Sequence, residues 1–301
     1  MFDMFNTESN PPSSQSVSGS DIFVVSIGGS LIFNENSPDN DKIKQIADVI
    51  SQMHYSGKKF VLVVGGGRAA RQYVDVAKSL GLNNFEQDLL GIHLTRANAT
   101  LIAAAIPNAS KKVLTDVQQA KEIIDEGKIP VFGGLMPLFT TDTVGALIAE
   151  YLNATFVNLT NVDGIYDENP NENPDAKRFD DISYKKLVAM IAQVGSSPGQ
   201  NVVLDLPCCM ILQRSKIPAV VLNGTDLSNF AAFVRGEQFI GTVIREIYEE
   251  GSDSENAEQD EEMAQDLGKE KKPRKRAVKK KPVVRKSKGG YSAPNPYHID
   301  F

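Results

Sequence analysis

The amino-acid sequence predicts an α/β fold, a three-layer α/β/α sandwich around a mainly parallel central sheet. Short apolar runs rich in β-branched residues alternate along the chain with segments whose apolar residues recur at helical spacing. Continuous apolar runs of this kind are typical of parallel strands that are covered by helices on both faces. The predicted strands are Ile22–Ile27, Lys59–Val64, Ile129–Phe132, Thr155–Leu159 and Ala219–Leu222.

Helices are predicted between these strands. After the first strand, the residues at helical spacing are Ile43, Ile46, Ala47, Ile50 and Met53. Further helical patterns cover Val117–Asp125, Thr143–Leu152, Tyr184–Gln193 and Asn229–Arg235. Ligands of parallel sheets bind beyond the carboxyl ends of the strands, so we expect the functional residues in the turns that follow them.

Composition divides the 301 residues into three segments. Residues 1–20 are rich in Ser, Asn and Pro and are predicted to be disordered. Residues 21–247 carry the apolar patterning of a folded domain, whereas residues 248–301 hold too few apolar residues to form a core. No apolar run reaches the roughly 18 residues of a membrane span, and the N-terminus lacks the features of a secretory signal. These observations predict a cytoplasmic protein without a membrane partner.

The formal net charge of −6 conceals an uneven distribution. Residues 269–301 contain 12 Lys and Arg against 2 acidic residues, whereas residues 1–268 contain 20 against 36. The basic segment Lys269–Lys288 is predicted either to contact nucleic acid or another acidic partner, or to fold back on the acidic run Glu249–Glu262. The two cysteines, Cys208 and Cys209, are too few for a four-ligand zinc site and are predicted to be buried thiols.

The first candidate site is the glycine turn after the first strand, Gly28-Gly29-Ser30. Glycines allow backbone N–H groups to approach an anion closely, and Ser30 adds a hydroxyl donor. A purely structural turn would have the same sequence, so this motif alone leaves both interpretations open.

The second candidate is Gly65-Gly66-Gly67, which follows the second strand and leads into a helix that carries Arg68 and Arg71. Backbone N–H groups at a helix N-terminus bind anions, and arginines three residues apart offer forked donors to phosphate oxygens. A solvated basic helix end is the alternative. The segment lacks the Gly-Lys-Ser/Thr of a Walker A loop and the spacing of the dinucleotide fingerprint.

Two further turns complete the set. The first runs from Gly133-Gly134-Leu135-Met136-Pro137 to Thr140-Thr141-Asp142, where Thr141 or Asp142 is expected either to cap the next helix or to help bind a phosphate. The second is Thr160–Tyr166, in which Tyr166 is either a platform for a ring or an ordinary loop aromatic. Four such turns at strand ends predict a site that holds several phosphates, as in transfer between two nucleotides. Their spacing does not name the acceptor.

Together the motifs resemble the amino acid kinase family, and within it the archaeal-type uridylate kinases. The resemblance extends over about residues 22–245, and its most specific stretches are Ile27–Ser30, Val64–Arg71, Thr95–Ala99 and Thr160–Tyr166. It implies transfer of the ATP γ-phosphate to UMP in pyrimidine nucleotide biosynthesis, with Mg²⁺ as cofactor. It also implies an acceptor-binding lobe over about 21–142, an ATP-binding lobe over about 143–247 and a homo-oligomer, in this family usually a hexamer.

The resemblance also implies roles for individual residues. Those implied to bind ATP are Gly29, Ser30, Gly67, Arg71, Thr160, Asn161, Tyr166 and Asn169. Those implied to bind UMP are Gly66, Asp88, Leu135, Met136, Pro137, Leu138, Phe139, Thr140 and Thr141. Arg68, Arg71 and Asp142 would act in phosphoryl transfer, and Asp142 would organise the Mg²⁺.

Three departures from the family pattern keep an alternative open. The acceptor loop reads Pro137-Leu138-Phe139-Thr140-Thr141 where the family usually has Pro-Gly-polar-Thr-Thr, so we expect restricted backbone approach to the UMP phosphate. Ser26 stands where relatives carry Lys or Asp, and Asp205–Met210 departs from Asp-Pro-x-Ala-Ala-Lys. The last stretch resembles molybdenum storage proteins of the same fold. The alternatives are therefore an ATP-binding oligomer used for storage or regulation, or a kinase for another small phosphate or carboxylate.

Overall fold

The computed structural model describes residues 20–34, 37–170, 172–194 and 203–247. Within them, seven strands form one sheet. The strands are β1 (Ile22–Ile27), β2 (Lys59–Val64), β3 (Val131–Phe132), β4 (Thr155–Thr160), β5 (Asp181–Ser183), β6 (Ala219–Asn223) and β7 (Thr242–Arg245). The helices are α1 (Asn40–Tyr55), α2 (Gly67–Ser79), α3 (Asn84–Ala105), α4 (Gln119–Asp125), α5 (Thr141–Leu152), α6 (Tyr184–Val194), α7 (Leu206–Arg214) and α8 (Leu227–Arg235).

The strand order is β3-β2-β1-β4-β6-β7-β5. All pairs are parallel except β6 with β7, which is antiparallel. The predicted mainly parallel sheet is therefore confirmed. Because β1, β2 and β4 are parallel neighbours, their carboxyl ends lie along the same edge, and the turns that follow them are brought together.

Helices cover both faces of the sheet, as the three-layer prediction requires. Alternate residues of β1 point to opposite sides: Val25 packs in a core layer with α1, α3 and α8, and Val24 packs in a second layer with α4, α5, α6 and α7. The central strands are buried on both faces, which explains their continuous apolar sequences.

The predicted bounds of β1 and β2 agree with the structure, and those of β4 and β6 differ by one residue. The predicted strand Ile129–Phe132 is too long. It is limited to Val131–Phe132, and Ile129 makes only an isolated bridge to Ala109. Pro130 between them has no N–H group to donate to a ladder.

The patterns in the sequence did not assign α3, α7, β5 or β7. Helix α3 begins with a capping box in which Asn83 and Glu86 each accept a hydrogen bond from the other residue's backbone N–H group. Helix α7 is capped by Asp205 and has Pro207 in its first turn. No helix among the described residues is long and apolar enough to cross a membrane. Residues 1–19 and 248–301, with their predicted disorder and charged runs, lie outside the described residues.

Candidate active site

A cavity of about 720 Å³ lies at the carboxyl ends of β1, β2 and β4. Residues from all four of the turns named by the sequence line it. Of the predicted site residues, the cavity is lined by Gly29, Ser30, Gly66, Gly67, Arg71, Thr141, Asp142, Thr160, Asn161, Tyr166 and Asn169. Arg68, Asp88 and residues 135–140 are not among its lining residues.

The first two glycine turns pack directly against each other. A Cβ atom on Gly29 would lie 2.1 Å from the backbone nitrogen of Gly67, a distance that no real Cβ adopts. Gly67 also has a φ of +65°, in the left-handed region that favours glycine. These glycines place the N-terminus of α2 in the cavity wall, where its unpaired N–H groups and the helix dipole attract an anion.

The two arginines of α2 differ in their placement. Arg71 is exposed and lines the cavity, one turn after the N-terminus of α2. Arg68 is also exposed but does not line the cavity. Of the two arginines, only Arg71 is therefore positioned to reach an anion in the cavity.

Asp142, in the first turn of α5, is one of three carboxylates that line the cavity, together with Asp167 and Glu168. Its Oδ1 accepts a hydrogen bond of 2.7 Å from the hydroxyl of Ser26, a buried residue of β1. The pKa of Asp142 is raised to about 6, mainly because burial disfavours the charged form; the Ser26 hydrogen bond opposes the rise and the nearby Asp205 adds to it. A hydroxyl thus stands at the position where relatives are expected to carry a charge.

The environment of Asp142 fits a magnesium ion bound together with phosphates. Within the described residues, no group of three or more His, Cys, Asp or Glu could hold a metal alone. Magnesium in nucleotide sites is held by one or two carboxylates together with phosphate oxygens and water, so one carboxylate on the cavity floor is sufficient. Only Oδ1 of Asp142 is engaged by Ser26, which leaves Oδ2 for a cation.

Asp205 is a second carboxylate that the sequence analysis did not select as a site residue. Its Oδ1 accepts hydrogen bonds from Thr143 Oγ1 at 2.6 Å and from the Cys208 backbone N–H at 2.7 Å, and its Oδ2 accepts one from the hydroxyl of Thr140. Both oxygens are therefore occupied by protein donors. Asp205 links the end of the acceptor loop to α7, whereas Asp142 faces the cavity.

The N-cap of α5 is Thr140, whose Oγ1 accepts a hydrogen bond from the Thr143 backbone N–H. Of the two alternatives left open for Thr141 and Asp142, capping of the helix is wrong. Because the cap lies one residue earlier, Thr141 and Asp142 are in the first turn of α5, and both line the cavity.

At the other end of the cavity, Tyr166 is held in place by a charged network. Its hydroxyl donates to Asp163 Oδ1 at 2.8 Å, and Arg178 bonds to Asp163 and Asp180, each at 3.0 Å. The cavity lining also includes four apolar side chains, those of Leu187, Met190, Ile191 and Leu204. These wall residues were not selected from the sequence, because the helical pattern of α6 does not indicate which of its apolar residues line a ligand site.

The acceptor loop keeps a glycine-like conformation despite its substitution. Leu138 has a φ of +75°, and its side chain is 81% exposed. Its backbone N–H donates to Asp88 Oδ2 at 2.9 Å, which ties the tip of the loop to α3. Leu138 therefore occupies a backbone region that glycine favours and that leucine rarely adopts.

Both cysteines are free and buried, as predicted. They lie in the first turn of α7 behind Asp205, and burial raises the pKa of both thiols above the usual range. They are therefore packing residues and not nucleophiles at neutral pH.

The parallel sheet, the glycine turns at its carboxyl edge and the half-buried carboxylate Asp142 define an α/β protein with a polar cavity beside a helix N-terminus. The chain belongs to the amino acid kinase family, whose sequence model matches residues 21–223. It is similar to the uridylate kinase of Archaeoglobus fulgidus, with 40% identity over 222 residues, 73% of this chain and 98% of the relative. The uridylate kinase of Thermococcus kodakarensis is 41% identical over 223 residues, 73% of this chain and 98% of the relative.

Solved structures agree with this assignment. The crystal structure of the Archaeoglobus fulgidus uridylate kinase matches with a TM-score of 0.66 and 39% identity, covering 74% of this chain and 99% of that one. The UMP kinase of Bacillus anthracis matches with a TM-score of 0.65 over 75% of this chain and 96% of that one, at 21% identity. At 21% identity, the match to the Bacillus anthracis structure shows the fold alone.

Proposed function

We propose that this protein is a uridylate kinase that transfers the γ-phosphate of ATP to UMP and so produces UDP for pyrimidine nucleotide biosynthesis. The observation that carries the proposal is the meeting of four polar turns in one cavity, with a helix N-terminus and a carboxylate in its walls. Uridylate kinases about 40% identical over nearly their whole length support the choice of acceptor. Nothing in the fold or the relatives favours the storage alternative.

In this proposal ATP occupies the cavity with its phosphates at the two packed glycine turns. Gly29, Ser30, Gly67 and Arg71 contact the phosphates through N–H, hydroxyl and guanidinium donors. The base and ribose lie at the opposite end, where Thr160, Asn161, Tyr166 and Asn169 line the cavity. The apolar wall from α6 supports the face of the base, because a ring gains from burial against apolar side chains.

UMP is proposed to bind beside Gly66, Asp88 and the acceptor loop, residues 135–141. The loop stands next to α3, since its tip donates to Asp88. One oxygen of Asp88 is thereby used, and in this proposal the other accepts a bond from a ribose hydroxyl. Thr141 belongs both to this loop and to the cavity wall, so it marks the meeting point of the two nucleotides.

Phosphoryl transfer between two nucleotides needs positioning and charge compensation more than covalent chemistry. The attacking group is a phosphate that is already ionised at neutral pH, so no side chain is required as a base. Arg71 and the N-terminus of α2 stabilise negative charge on the transferred group, with Arg68 as a more peripheral cation. Bound Mg²⁺ would neutralise charge on the phosphate oxygens, and Asp142 would hold it through Oδ2.

We also propose that the protein is a homo-oligomer in the cytoplasm, with six subunits as in the family. Helix α3 buries Ile92, Ala99 and Ile102 but leaves two apolar side chains accessible, since Phe85 is 60% and Leu101 39% exposed. Exposed large apolar side chains are typical of a surface that a partner covers. In this proposal a second copy of the chain covers them, and light scattering of the full-length protein tests the number of subunits.

The proposed activity is tested by measuring ADP formation from Mg-ATP with UMP, CMP, UDP or no acceptor. Turnover that depends on UMP supports the proposal, and comparison with CMP gives the base selectivity. Binding of ATP without turnover on any nucleoside monophosphate would overturn it. Metal analysis of the purified protein would then test for storage.

A further inference from the structure

We propose that one turn of α3, formed by Thr95, Arg96 and Asn98, positions the donor turn and the acceptor loop relative to each other. These three side chains, which we call the α3 clamp, hold Gly65-Gly66 on one side and Gly134-Leu135 on the other. The proposal rests on the kinase activity proposed above. It assigns a positioning role to residues that touch neither nucleotide in that account.

The first half of the clamp is Asn98, which is only 4% exposed. Its amide nitrogen donates to the carbonyl oxygens of Gly65 at 2.9 Å and of Gly66 at 3.2 Å. These carbonyls belong to the turn whose N–H groups and helix point into the cavity. Because a buried carbonyl without a donor is costly, Asn98 fixes the orientation of the whole peptide segment.

The second half consists of Thr95 and Arg96. The buried Thr95 hydroxyl accepts a bond from the Gly134 N–H at 2.7 Å and donates to the Ile92 carbonyl of its own helix at 2.7 Å. Arg96 donates from Nε to the Gly134 carbonyl at 3.0 Å, and its Nη2 lies 3.4 Å from the Leu135 carbonyl. The two residues together hold both polar groups of the Gly134 backbone at the start of the acceptor loop.

Close packing makes the clamp rigid. A Cβ atom on Gly133 would lie 2.8 Å from Thr95 Oγ1, and one on Gly66 would lie 3.4 Å from Thr95 Cγ2. Both turns therefore lie directly on the same helical turn, and Thr95 touches each of them. Helix α3 is itself fixed to the sheet through the buried Ala99, Ile102 and Ala103. The separation of the two phosphate sites is thus set by a single rigid element.

Reacting groups must be held within about 1 Å of the productive geometry, so a small displacement of one turn lowers the rate of transfer. The clamp therefore acts on the step that needs both nucleotides in register. Loss of a clamp bond is expected to lower kcat more than it raises the KM of ATP. The reason is that the phosphates of ATP are proposed to bind mainly at Gly29, Gly67 and Arg71, which are not part of the clamp. Substitution of a residue with only a stabilising role would lower the fraction of folded protein but would not change kcat more than the KM of ATP.

The test compares Thr95→Val, which keeps the shape but removes the hydroxyl, with Thr95→Ser, which keeps the hydroxyl. The matched control is Thr100→Val, since Thr100 lies in the same helix and its hydroxyl bonds only to the Arg96 carbonyl. Amide hydrogen exchange is followed in peptides that cover residues 133–141 and 65–71, together with kcat and KM for each nucleotide. The exchange measurement does not depend on catalysis.

We expect Thr95→Val to accelerate exchange across residues 133–141 and to lower kcat about ten-fold, with less than about a two-fold change in the KM of ATP. Thr95→Ser should keep most of the protection and of the rate, and Thr100→Val should match the wild type. Unchanged exchange in Thr95→Val, or equal effects of Thr95→Val and Thr100→Val, would overturn the clamp. Absence of UMP-dependent turnover in the wild type would reject the kinase proposal and not the clamp. The clamp would still be tested by hydrogen exchange, which does not depend on catalysis.

Discussion

The hydroxyl of Ser26 donates a hydrogen bond of 2.7 Å to Oδ1 of Asp142 at the floor of the cavity. Ser26 is buried in β1, and Asp142 belongs to the first turn of α5, so the bond joins an inner strand of the sheet to the carboxylate proposed to hold Mg²⁺. The hydrogen bond fixes one oxygen and favours the ionised form. Serine thus supports the carboxylate without adding a charge.

Replacement of Asp142 by Asn should stabilise the protein at neutral pH and abolish phosphoryl transfer. The pKa of Asp142 is raised from 3.8 to about 6 in the folded state, so the folded protein binds this proton more tightly than the unfolded chain. The free energy of unfolding of the wild type therefore falls as pH rises from about 4 to about 6. The Asp142→Asn variant does not lose this free energy, because asparagine does not ionise. We expect a gain of about 1 to 3 kcal/mol near pH 8 that vanishes near pH 4, measured by urea unfolding. The same difference in unfolding free energy between variant and wild type at pH 4 and at pH 8 would contradict this prediction.

Replacement of Ser26 by Ala should move the acid limb of the activity profile to higher pH. The rate requires ionised Asp142 and should fall on the acid side of the profile, at a pH below the metal-free pKa of about 6 because bound Mg²⁺ favours the ionised carboxylate. Without the Ser26 hydrogen bond, the pKa of Asp142 rises further, so the midpoint shifts upward. The measurement is kcat/KM for UMP against pH, and Ser110→Ala is the control, since its buried hydroxyl bonds to the Lys112 carbonyl. A midpoint unchanged by Ser26→Ala would argue against the role of this bond.

Replacement of Leu138 by Gly should raise stability slightly. Leucine in the left-handed region costs about 1 to 2 kcal/mol, and the added entropy of glycine in the unfolded chain costs about 0.5 to 1 kcal/mol. Because the Leu138 side chain is largely exposed, little packing is lost. Leu138→Ala keeps a Cβ and therefore should not gain, which makes it the control in thermal unfolding. A lower melting temperature for Leu138→Gly would show that the side chain contributes contacts in the assembled protein.

Removal of Arg71 should weaken ATP binding much more than removal of Arg68. Arg71 lines the cavity and Arg68 does not, although both are exposed cations of the same helix. A charge-assisted bond to phosphate contributes about 1.5 to 3 kcal/mol, so we expect the Kd of ATP to rise by about ten-fold or more for Arg71→Ala. For Arg68→Ala we expect only the small effect of a distant, screened charge. Calorimetric titration with Mg-ATP measures both, and equal effects would contradict the assignment.

The fold was largely predictable because β1, β2, β4 and β6 are buried on both faces and have uninterrupted apolar sequences. Helix α3 was missed for the opposite reason: apolar residues on two faces leave no helical periodicity to detect. Strands β5 and β7, with three and four residues, are too short to give a pattern. These short strands are held in the sheet by pairing with strands that are distant in the sequence, which local patterns do not record.

The site was predictable where glycine turns follow strands, since the sheet brings such turns together whatever lies between them. It was not predictable for Asp205, whose partners Thr140 and Thr143 lie more than 60 residues away in the sequence. The roles of Asn98 and Thr95 were not predictable for the same reason, because their hydrogen bonds are made with backbone groups of distant glycine turns. The carboxylates Asp142 and Asp205 could be told apart only by the donors around each one.

The central claim is tested most directly by incubating the full-length protein with Mg²⁺, UMP and ATP labelled at the γ-phosphate, and then separating the nucleotides. Transfer predicts labelled UDP in amounts equal to the ADP formed, and its loss in Asp142→Asn while that variant remains folded. Label that stays in ATP, or that appears only as free phosphate whether or not UMP is present, would contradict the proposed kinase.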